Sequence, residues 1–324
     1  YQWEQSTDGA TFSNATGSGT TSLNFTPSAL TQTTYFRLKY TSANGCGSVY
    51  SNVIQVTVYL DIASAVIGTS QTICYNTTPS TISIQTAAIG GNGSFSNQWQ
   101  VLNSETWTDI DGQTGNAYQP MNLTTTMQYR LKSTSDYGCG TVYSNIITIT
   151  VYADVYAGQI SENQTICYNT APNLLAFTTN PSGAGDAYTY QWQNSSDGIS
   201  FTDISNATGN TYQAGSLLTT VYYRVVVTST TCGTSDISNV ITVTVRDEFL
   251  PGSITGSQTI CYNTVPNQLT GTNCTGGAIA YSYQWEQSTD GATFSNATGS
   301  GTTSLNFTPS ALTQTTYFRL KYTS

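Results

Sequence analysis

Residues 1–42 read YQWEQSTDGATFSNATGSGTTSLNFTPSALTQTTYFRLKYTS, and the same stretch returns without a change at residues 283–324. The two copies begin 282 positions apart, and two diverged versions of the pattern lie between them. Four tryptophans mark the pattern at intervals of 96, 93 and 93 residues: Trp3, Trp99, Trp192 and Trp285. The sequence therefore indicates a tandem array in which three diverged repeats form a larger unit, and we expect the chain to be a segment of a longer array.

Each repeat alternates hydrophobic and polar residues over short runs that end in turn residues. Asp-Gly pairs such as Asp8-Gly9 follow the tryptophan run, and this dipeptide is a strong hairpin signal because glycine accepts positive φ. A later run, Tyr-Phe-Arg-Leu-Lys-Tyr at 35–40, places its arginine on the outer face of a strand. The equivalent arginines are Arg37, Arg130, Arg224 and Arg319.

About seven such runs in roughly 94 residues, without a sustained helical period, predict an immunoglobulin-like β-sandwich. We predict an all-β chain of such sandwiches in an extended, beaded array. The expected boundaries are a partial domain at 1–60, complete domains at 61–152 and 153–246, and a partial domain at 247–324 that lacks its last strand.

The composition narrows the classes of function. Charged residues are 8% of the chain, the net charge is −9, and only eight residues are basic, which argues against a nucleic-acid partner. No apolar run approaches the ~20 residues of a membrane helix. Histidine is absent, which removes the commonest general base, and no nucleophile or carboxylate pair stands out from the turns. We therefore predict that the protein is not an enzyme.

The cysteines recur with the repeat. Cys74 and Cys139 are 65 residues apart, as are Cys167 and Cys232, so we predict one disulfide within each repeat, with buried free thiols as the alternative. Cys46 and Cys261 are each expected to pair with a cysteine of the longer array that lies beyond residues 1–324. Persisting disulfides imply an oxidising compartment and hence export to the cell surface or beyond.

Cys274 stands apart from that pattern. It lies in Asn-Cys-Thr-Gly-Gly at 273–277, which the sequence suggests is an insertion found only in the last repeat. It could cross-link neighbouring chains, remain a free thiol or pair within its own chain.

Two sets of charged residues remain. Glu4 and Glu286 follow the strand tryptophans, and we expect them to pair across strands with Arg37 and Arg319. In the middle repeats Gln100 and Gln193 take over this structural role by hydrogen bonds.

Acidic residues recur 93 apart between repeats, at Asp61, Asp154 and Asp247. These are weak candidates for calcium, which needs several oxygen ligands, and solvated linkers are the simpler interpretation. No other cofactor is expected.

The module Tyr-Gln-Trp-x-x-Ser-x-Asp-Gly-x-x-Phe, followed by Leu-Thr-x-Thr-x-Tyr-Tyr/Phe-Arg and Cys-Gly-x-x-Tyr-Ser-Asn-x-Ile-x-Val-x-Val, resembles the immunoglobulin-like repeats of very large secreted proteins of Bacteroidetes. It looks most like the cell-surface adhesins of gliding motility that the type IX system exports. The resemblance implies a long surface filament that contacts the substratum, and it carries over no binding residue.

Our leading hypothesis is a repetitive structural and adhesive stalk of an exported filament. Its partners would be the adjacent repeats, an external surface or polysaccharide, and neighbouring filaments by lateral association. One alternative is a set of carbohydrate-binding modules that use exposed tyrosines such as Tyr35 and Tyr222 as stacking platforms. Another is a polymer whose separate subunits exchange strands.

Overall fold

The computed structural model describes residues 1–324 and consists of β-strands, turns and loops, with 34 strands and no helix. No helix in it is therefore long and apolar enough to cross a membrane. The chain divides into two compact units, residues 1–153 and 154–324.

The first unit contains the first two repeats. The strands of the first repeat are β1 (Gln2–Ser6), β2 (Ser13–Asn14), β3 (Gly17–Ser18), β4 (Thr26–Pro27), β5 (Thr34–Thr41), β6 (Ser48–Tyr50) and β7 (Ile54–Val56). Those of the second are β8 (Leu60–Ala63), β9 (Val66–Ile67), β10 (Gln71–Ile73), β11 (Ile82–Thr86), β12 (Ile89–Gly91), β13 (Phe95–Asn103), β14 (Thr106–Asp109), β15 (Ala117–Tyr118), β16 (Met127–Ser135), β17 (Thr141–Tyr143) and β18 (Ile147–Val151).

The second unit contains the third and fourth repeats. The strands of the third repeat are β19 (Gln159–Ile160), β20 (Gln164–Ile166), β21 (Leu175–Thr179), β22 (Tyr188–Ser195), β23 (Thr202–Asp203), β24 (Thr211–Tyr212), β25 (Val221–Ser229), β26 (Ser235–Ile237) and β27 (Ile241–Val245). Those of the fourth are β28 (Ile254–Thr255), β29 (Leu269–Gly271), β30 (Ser282–Ser288), β31 (Ser295–Asn296), β32 (Gly299–Ser300), β33 (Asn306–Pro309) and β34 (Tyr317–Thr323).

The second repeat shows the complete sandwich. One sheet has the order β10-β18-β16-β13-β14, with β17 continuing beside β16, and the facing sheet has the order β15-β11-β9. The first edge segment is divided between the sheets, because β9 pairs with β11 whereas β10 pairs in parallel with β18. The third repeat repeats this order with β20-β27-β25-β22-β23 and β19-β21-β24. The chain is thus all-β and built from tandem immunoglobulin-like sandwiches, as the sequence predicts.

The core of each sandwich forms around the strand tryptophan. Alternation along β16 buries Tyr129 and Leu131 and leaves Arg130 on the other face, because successive side chains of a strand point to opposite sides. Trp99 is fully buried, and its indole nitrogen donates to the carbonyl of Gly115 at 2.9 Å. Equivalent indole–carbonyl bonds of 2.8–3.0 Å occur at Trp3, Trp192 and Trp285.

The recurring segment Gln-Thr-Ile-Cys-Tyr-Asn-Thr-x-Pro forms β10 and the loop after it. The Gln71 side-chain amide accepts a bond from the Ser80 amide and donates to the Ser80 carbonyl, at 2.8 and 3.0 Å. Asn76 turns the chain with φ of 55°, a left-handed conformation that asparagine tolerates better than most residues. The Thr77 hydroxyl donates to the Cys74 carbonyl at 2.6 Å. The loop is therefore held by its own polar side chains.

The last strand is packed less well in the first repeat than in the second. Ile54 and Val56 are 48% and 38% exposed, whereas their counterparts Ile147 and Ile149 are 1% and 0% exposed. The difference arises because residues 1–60 contain no counterparts of the early strands β9 and β11 to cover that face.

Candidate functional site

A cluster centred on arginine recurs on the outer face of the tryptophan-bearing sheet. In the first repeat Glu4 lies opposite Arg37 in the β1–β5 register. The Arg37 Nε atom donates to Glu4 Oε2 at 2.8 Å. Glu286 and Arg319 repeat the arrangement at 2.6 Å. The structure thus brings together the carboxylate and guanidinium that the sequence pairs.

In the middle repeats an amide replaces the carboxylate. Arg130 Nε donates to Gln100 Oε1 at 2.7 Å, and the Gln100 amide nitrogen donates to Asp109 on β14 at 2.6 Å. In the third repeat Gln193 likewise links Arg224 to an aspartate, Asp203.

The position of the negative charge therefore differs by one strand between the two outer repeats and the two middle repeats. Glu4 and Glu286 face Asn14 and Asn296, whereas the glutamines of the middle repeats face Asp109 and Asp203. Each cluster retains one carboxylate: the first and fourth repeats have a Glu–Asn pair, and the second and third have a Gln–Asp pair. The sequence analysis did not identify this exchange, although an alignment of the four repeats shows it.

Aromatic rings enclose the guanidinium. Arg130 lies 4.3 Å from the centroid of the Trp107 ring and 3.9 Å from that of Tyr143. The other repeats place a phenylalanine ring at 4.0–4.1 Å: Phe12, Phe201 and Phe294. The second ring is absent from the third repeat, because Ile237 occupies the position of Tyr143 in the β25–β26 pairing. Two rings therefore cover the guanidinium of Arg37 and of Arg130, whereas one ring lies against Arg224 and one against Arg319. Because the Nε atom donates a hydrogen bond in all four repeats, the guanidinium acts as a structural group.

The cysteines of one repeat lie at opposite ends of its sheet. Cys74 follows Ile73, which pairs with Val151 near the start of β16, whereas Cys139 lies in the turn after the end of β16. Eight residues of strand separate the two levels, or about 25 Å at ~3.3 Å per residue. Disulfide-bonded Cα atoms are roughly 4.4–6.8 Å apart, so this geometry does not allow the bridge.

The two predicted bridges within repeats are therefore wrong. Cys139 and Cys167 are free and exposed, as are Cys46 and Cys261, while Cys74 and Cys232 are disulfide-bonded. The spacing of 65 residues recurs because the repeat recurs, and it does not bring the two cysteines close together. The parallel pairing of β10 with β18 places Cys74, which follows β10, at the far end of the sheet from Cys139.

Cys274 does not lie in an insertion. Gly276-Gly277 occupies the place of Gly90-Gly91, eight residues before the strand tryptophan in both repeats, so Cys274 corresponds to Ala88. Both glycine pairs have positive φ, and both pack against the entering segment, where a Cβ on the first glycine would lie 1.9 Å from a backbone oxygen. Cys274 is free and 4% exposed. Its burial contradicts a cross-link between neighbouring chains.

The linker aspartates lie apart from one another and from other ligands. Asp61 and Asp154 each accept a bond from the next amide at 2.9 Å, and the Asp247 carbonyl accepts from Gly277 at 2.9 Å. No group of three His, Cys, Asp or Glu side chains is arranged to hold one metal ion. Calcium at the linkers stays a prediction, and any such site would need ligands from elsewhere.

The tyrosines of the carbohydrate hypothesis are half-buried. A Cβ on Gly9 would lie 3.5 Å from the Tyr35 ring, and one on Gly198 would lie 3.3 Å from the Tyr222 ring. Each ring therefore packs over its Asp-Gly turn and is not a free stacking platform.

One cavity in the fourth repeat has a structural explanation. It measures about 630 Å³ and lies between residues 254–262 and 312–318 of the fourth repeat. In the second repeat the equivalent segments flank the last strand, β18, which pairs with both β10 and β16. The cavity is the space that a last strand fills elsewhere in the array.

Comparisons with solved structures recover tandem immunoglobulin domains at low identity. Titin domains A168–A170 are 14% identical, with 80% of this chain and 92% of that chain covered and a TM-score of 0.32. A variant of titin domains I67–I69 is 10% identical over 81% and 95% of the chains, with a TM-score of 0.38. Extracellular domains 3–5 of Drosophila OTK are 12% identical over 66% and 70%, with a TM-score of 0.29.

No curated protein matches the sequence significantly. One family model matches four times in succession, at residues 1–60, 63–153, 156–247 and 250–324. Because these matches span nearly the whole sequence, the chain belongs to the family described as Domain of unknown function (DUF8696), of which it contains four tandem copies.

Proposed function

We propose that the array is the structural and adhesive stalk of an exported cell-surface filament, which attaches the cell to external surfaces. The observation that carries the proposal is the construction of the repeats. Separate hydrophobic cores surround Trp99, Trp192 and Trp285, so length is added one self-contained module at a time. Gliding over a surface is the narrower role that the resemblance to Bacteroidetes adhesins implies.

The chemistry of the cysteines supports export. Cys74 and Cys232 are disulfide-bonded, and disulfides persist mainly in oxidising compartments outside the cytosol. Four further cysteines are exposed free thiols, Cys46, Cys139, Cys167 and Cys261, and all four belong to the same two recurring positions of the repeat.

The surface supports contacts that depend little on charge. Only eight Lys and Arg residues occur in 324, and four of them are the arginines that form the clusters described above. Ser, Thr, Asn and Gln supply most of the remaining polar surface. Hydrogen bonds and apolar contacts from such a surface are screened little by salt, unlike attraction between exposed charges.

Small-angle X-ray scattering of the purified chain tests the stalk. Modules that each advance roughly 35 Å give a rod with a radius of gyration of about 35 Å, whereas a compact protein of this length has about 20 Å. A value near the compact limit would exclude a stalk.

Adhesion is tested separately with beads that carry the chain. We expect retention on glass or on immobilised polysaccharide under flow, changing less than about twofold between low and high salt. Beads coated with an unrelated acidic β-protein are the control. Equal retention of the two bead types would remove the adhesive part of the proposal and leave the stalk intact.

A further inference from the structure

The segment that connects two repeats is hydrogen-bonded to the repeat that it leaves. At the exit from the first repeat, two residues after β7 ends, the Val58 amide donates to the Thr33 hydroxyl at 3.2 Å. At the exit from the third repeat the Arg246 amide donates to the Ile166 carbonyl at 3.0 Å. Each of these repeats therefore holds the chain up to the point where it leaves.

The same segment then pairs with the repeat that it enters. β8 begins at Leu60 and runs antiparallel to β12 of the second repeat, with Leu60 opposite Gly91. In the fourth repeat the Gly277 amide donates to the Asp247 carbonyl at 2.9 Å. The connecting segment is therefore built into the following domain.

An aromatic contact adds to each of these two joints. Tyr59, on the segment that enters the second repeat, meets Tyr137 of that repeat edge to face, with ring centroids 6.2 Å apart. Phe249, on the segment that enters the fourth repeat, stacks on Tyr281 with centroids 6.0 Å apart and an angle of 11° between the rings. Apolar packing thus reinforces the backbone bonds.

Almost no residue is left free at either joint. Between Val58, which is bonded to the first repeat, and Leu60, which is paired with the second, only Tyr59 remains. At the other joint Arg246 and Asp247 are consecutive, and they are bonded to different repeats. Because a linker bends by rotation about the two soft dihedral angles of each free residue, these joints have few rotations available.

A glycine in the entered repeat allows the connecting segment to come this close. A Cβ on Gly90 would lie 1.9 Å from the carbonyl oxygen of Asp61, and a Cβ on Gly276 would lie 1.9 Å from that of Glu248. A larger residue at either position would displace the connecting segment from its place on the domain.

We propose that the joint between the first and second repeats and the joint between the third and fourth are stiff, because the connecting segment is fixed to both domains and contains no hinge. Domains of one chain move relative to each other by default, and Gly/Ser-rich linkers behave as flexible coils. These joints bend only when their own hydrogen bonds break. The inference concerns bending of the array, and it does not depend on whether the array adheres to a surface.

Pulsed electron paramagnetic resonance across the first joint tests the inference in the full chain. Spin-labelled non-natural residues replace Leu23 of the first repeat and Met121 of the second, which are 60% and 80% exposed. An insertion of Gly-Ser-Gly between Val58 and Tyr59 supplies the reference for a flexible joint. We expect the distance distribution of the chain without the insertion to be at least about twofold narrower than that of the insertion variant.

Two substitutions separate docking of the segment from backbone strain. Gly90→Ala should broaden the distribution towards that of the insertion variant, because its Cβ displaces Asp61. Gly93→Ala is the matched control, since Gly93 also has a positive φ, 85° against 91° for Gly90, but a Cβ there meets no atom within 4 Å. Its distribution should match that of the parent. Near-ultraviolet circular dichroism checks that each variant is folded.

Limited proteolysis is the independent measurement. Chymotrypsin cleaves after tyrosine and leucine, and Tyr59 and Leu60 are 43% and 77% exposed. Cleavage nevertheless requires the segment to leave its partner strand. We expect cleavage after these two residues to be at least about tenfold slower in the parent than in the insertion variant.

Three results would overturn the inference: equal distribution widths in the parent and the insertion variant, equal rates of cleavage in the two, or equal broadening by Gly90→Ala and Gly93→Ala. Any of them would leave the proposed stalk in place as a flexible tether of separate modules. A compact radius of gyration with a narrow distance distribution would instead remove the stalk and keep the stiff joints.

Discussion

Moving the carboxylate of the second repeat's arginine cluster should show whether each cluster needs one negative charge and no more. Asp109→Asn removes the charge that accepts the Gln100 amide at 2.6 Å. Gln100→Glu adds a carboxylate at the Arg130 Nε atom but sets it opposite Asp109. The double variant Gln100→Glu/Asp109→Asn reproduces the Glu–Asn pairing of the first and fourth repeats.

The expected magnitudes follow from burial and distance. Gln100 is 6% exposed, and hydrogen bonds to charged groups contribute about 1.5–3 kcal/mol when buried. The side chain of Asp109 is 50% exposed, which lowers the effect. We expect the free energy of unfolding to fall by about 1 kcal/mol in each single variant. In Gln100→Glu the loss arises because two like charges lie directly opposite each other. The free energy of unfolding of the double variant should lie within roughly 0.3 kcal/mol of that of the parent. Because the two single losses then cancel, the two positions are coupled by about 2 kcal/mol.

Amide hydrogen exchange in β16 measures these changes within the intact chain. A loss of 1 kcal/mol corresponds to about fivefold faster exchange where the amides exchange through opening of the domain. The control is Lys132→Gln, because Lys132 lies 3.8 Å from Asp109 in an exposed pair that should contribute under about 0.5 kcal/mol. If the double variant exchanges as fast as the two single effects combined, the carboxylates are independent and the reasoning fails.

Three further results are expected. The Ser195 hydroxyl and two backbone amides hold the pKa of Asp197 well below its usual range, so its contribution to stability is present above pH 4 and is lost as the pH falls through the folded-state pKa. Melting temperatures between pH 5 and pH 2 should therefore fall more in the parent than in Asp197→Asn, and parallel curves would contradict this. Burial raises the pKa of Tyr129 and of Tyr223 to about 12. Their contribution is present below pH 10 and is lost towards pH 12, so ultraviolet titration should show them ionising after the exposed tyrosines; ionisation together would refute it. Cys274 is buried and Cys167 exposed, so iodoacetamide should label Cys167 at least tenfold faster in native protein, and equal rates would contradict the burial.

The sequence by itself determined the repeat, the all-β class and the cross-strand pairs. Period-two alternation fixes which residues share a face of a strand, and the hairpin fixes which positions meet across strands. Glu4 could therefore be matched to Arg37 from the sequence alone. The Glu–Asn to Gln–Asp exchange was also present in the sequence, at two positions that change together.

Only the tertiary structure decided which cysteines are free and which aromatic rings cover the arginine of each cluster. A spacing of 65 residues does not say at which end of a sheet a residue lies. The parallel pairing of β10 with β18 places Cys74 near the start of β16, far from Cys139, which follows the end of that strand. The stacking of Tyr143 on Arg130 likewise depends on β17 continuing beside β16. Local sequence sets the face and register of a strand, whereas the direction and order of distant strands follow from how the two sheets close over one core.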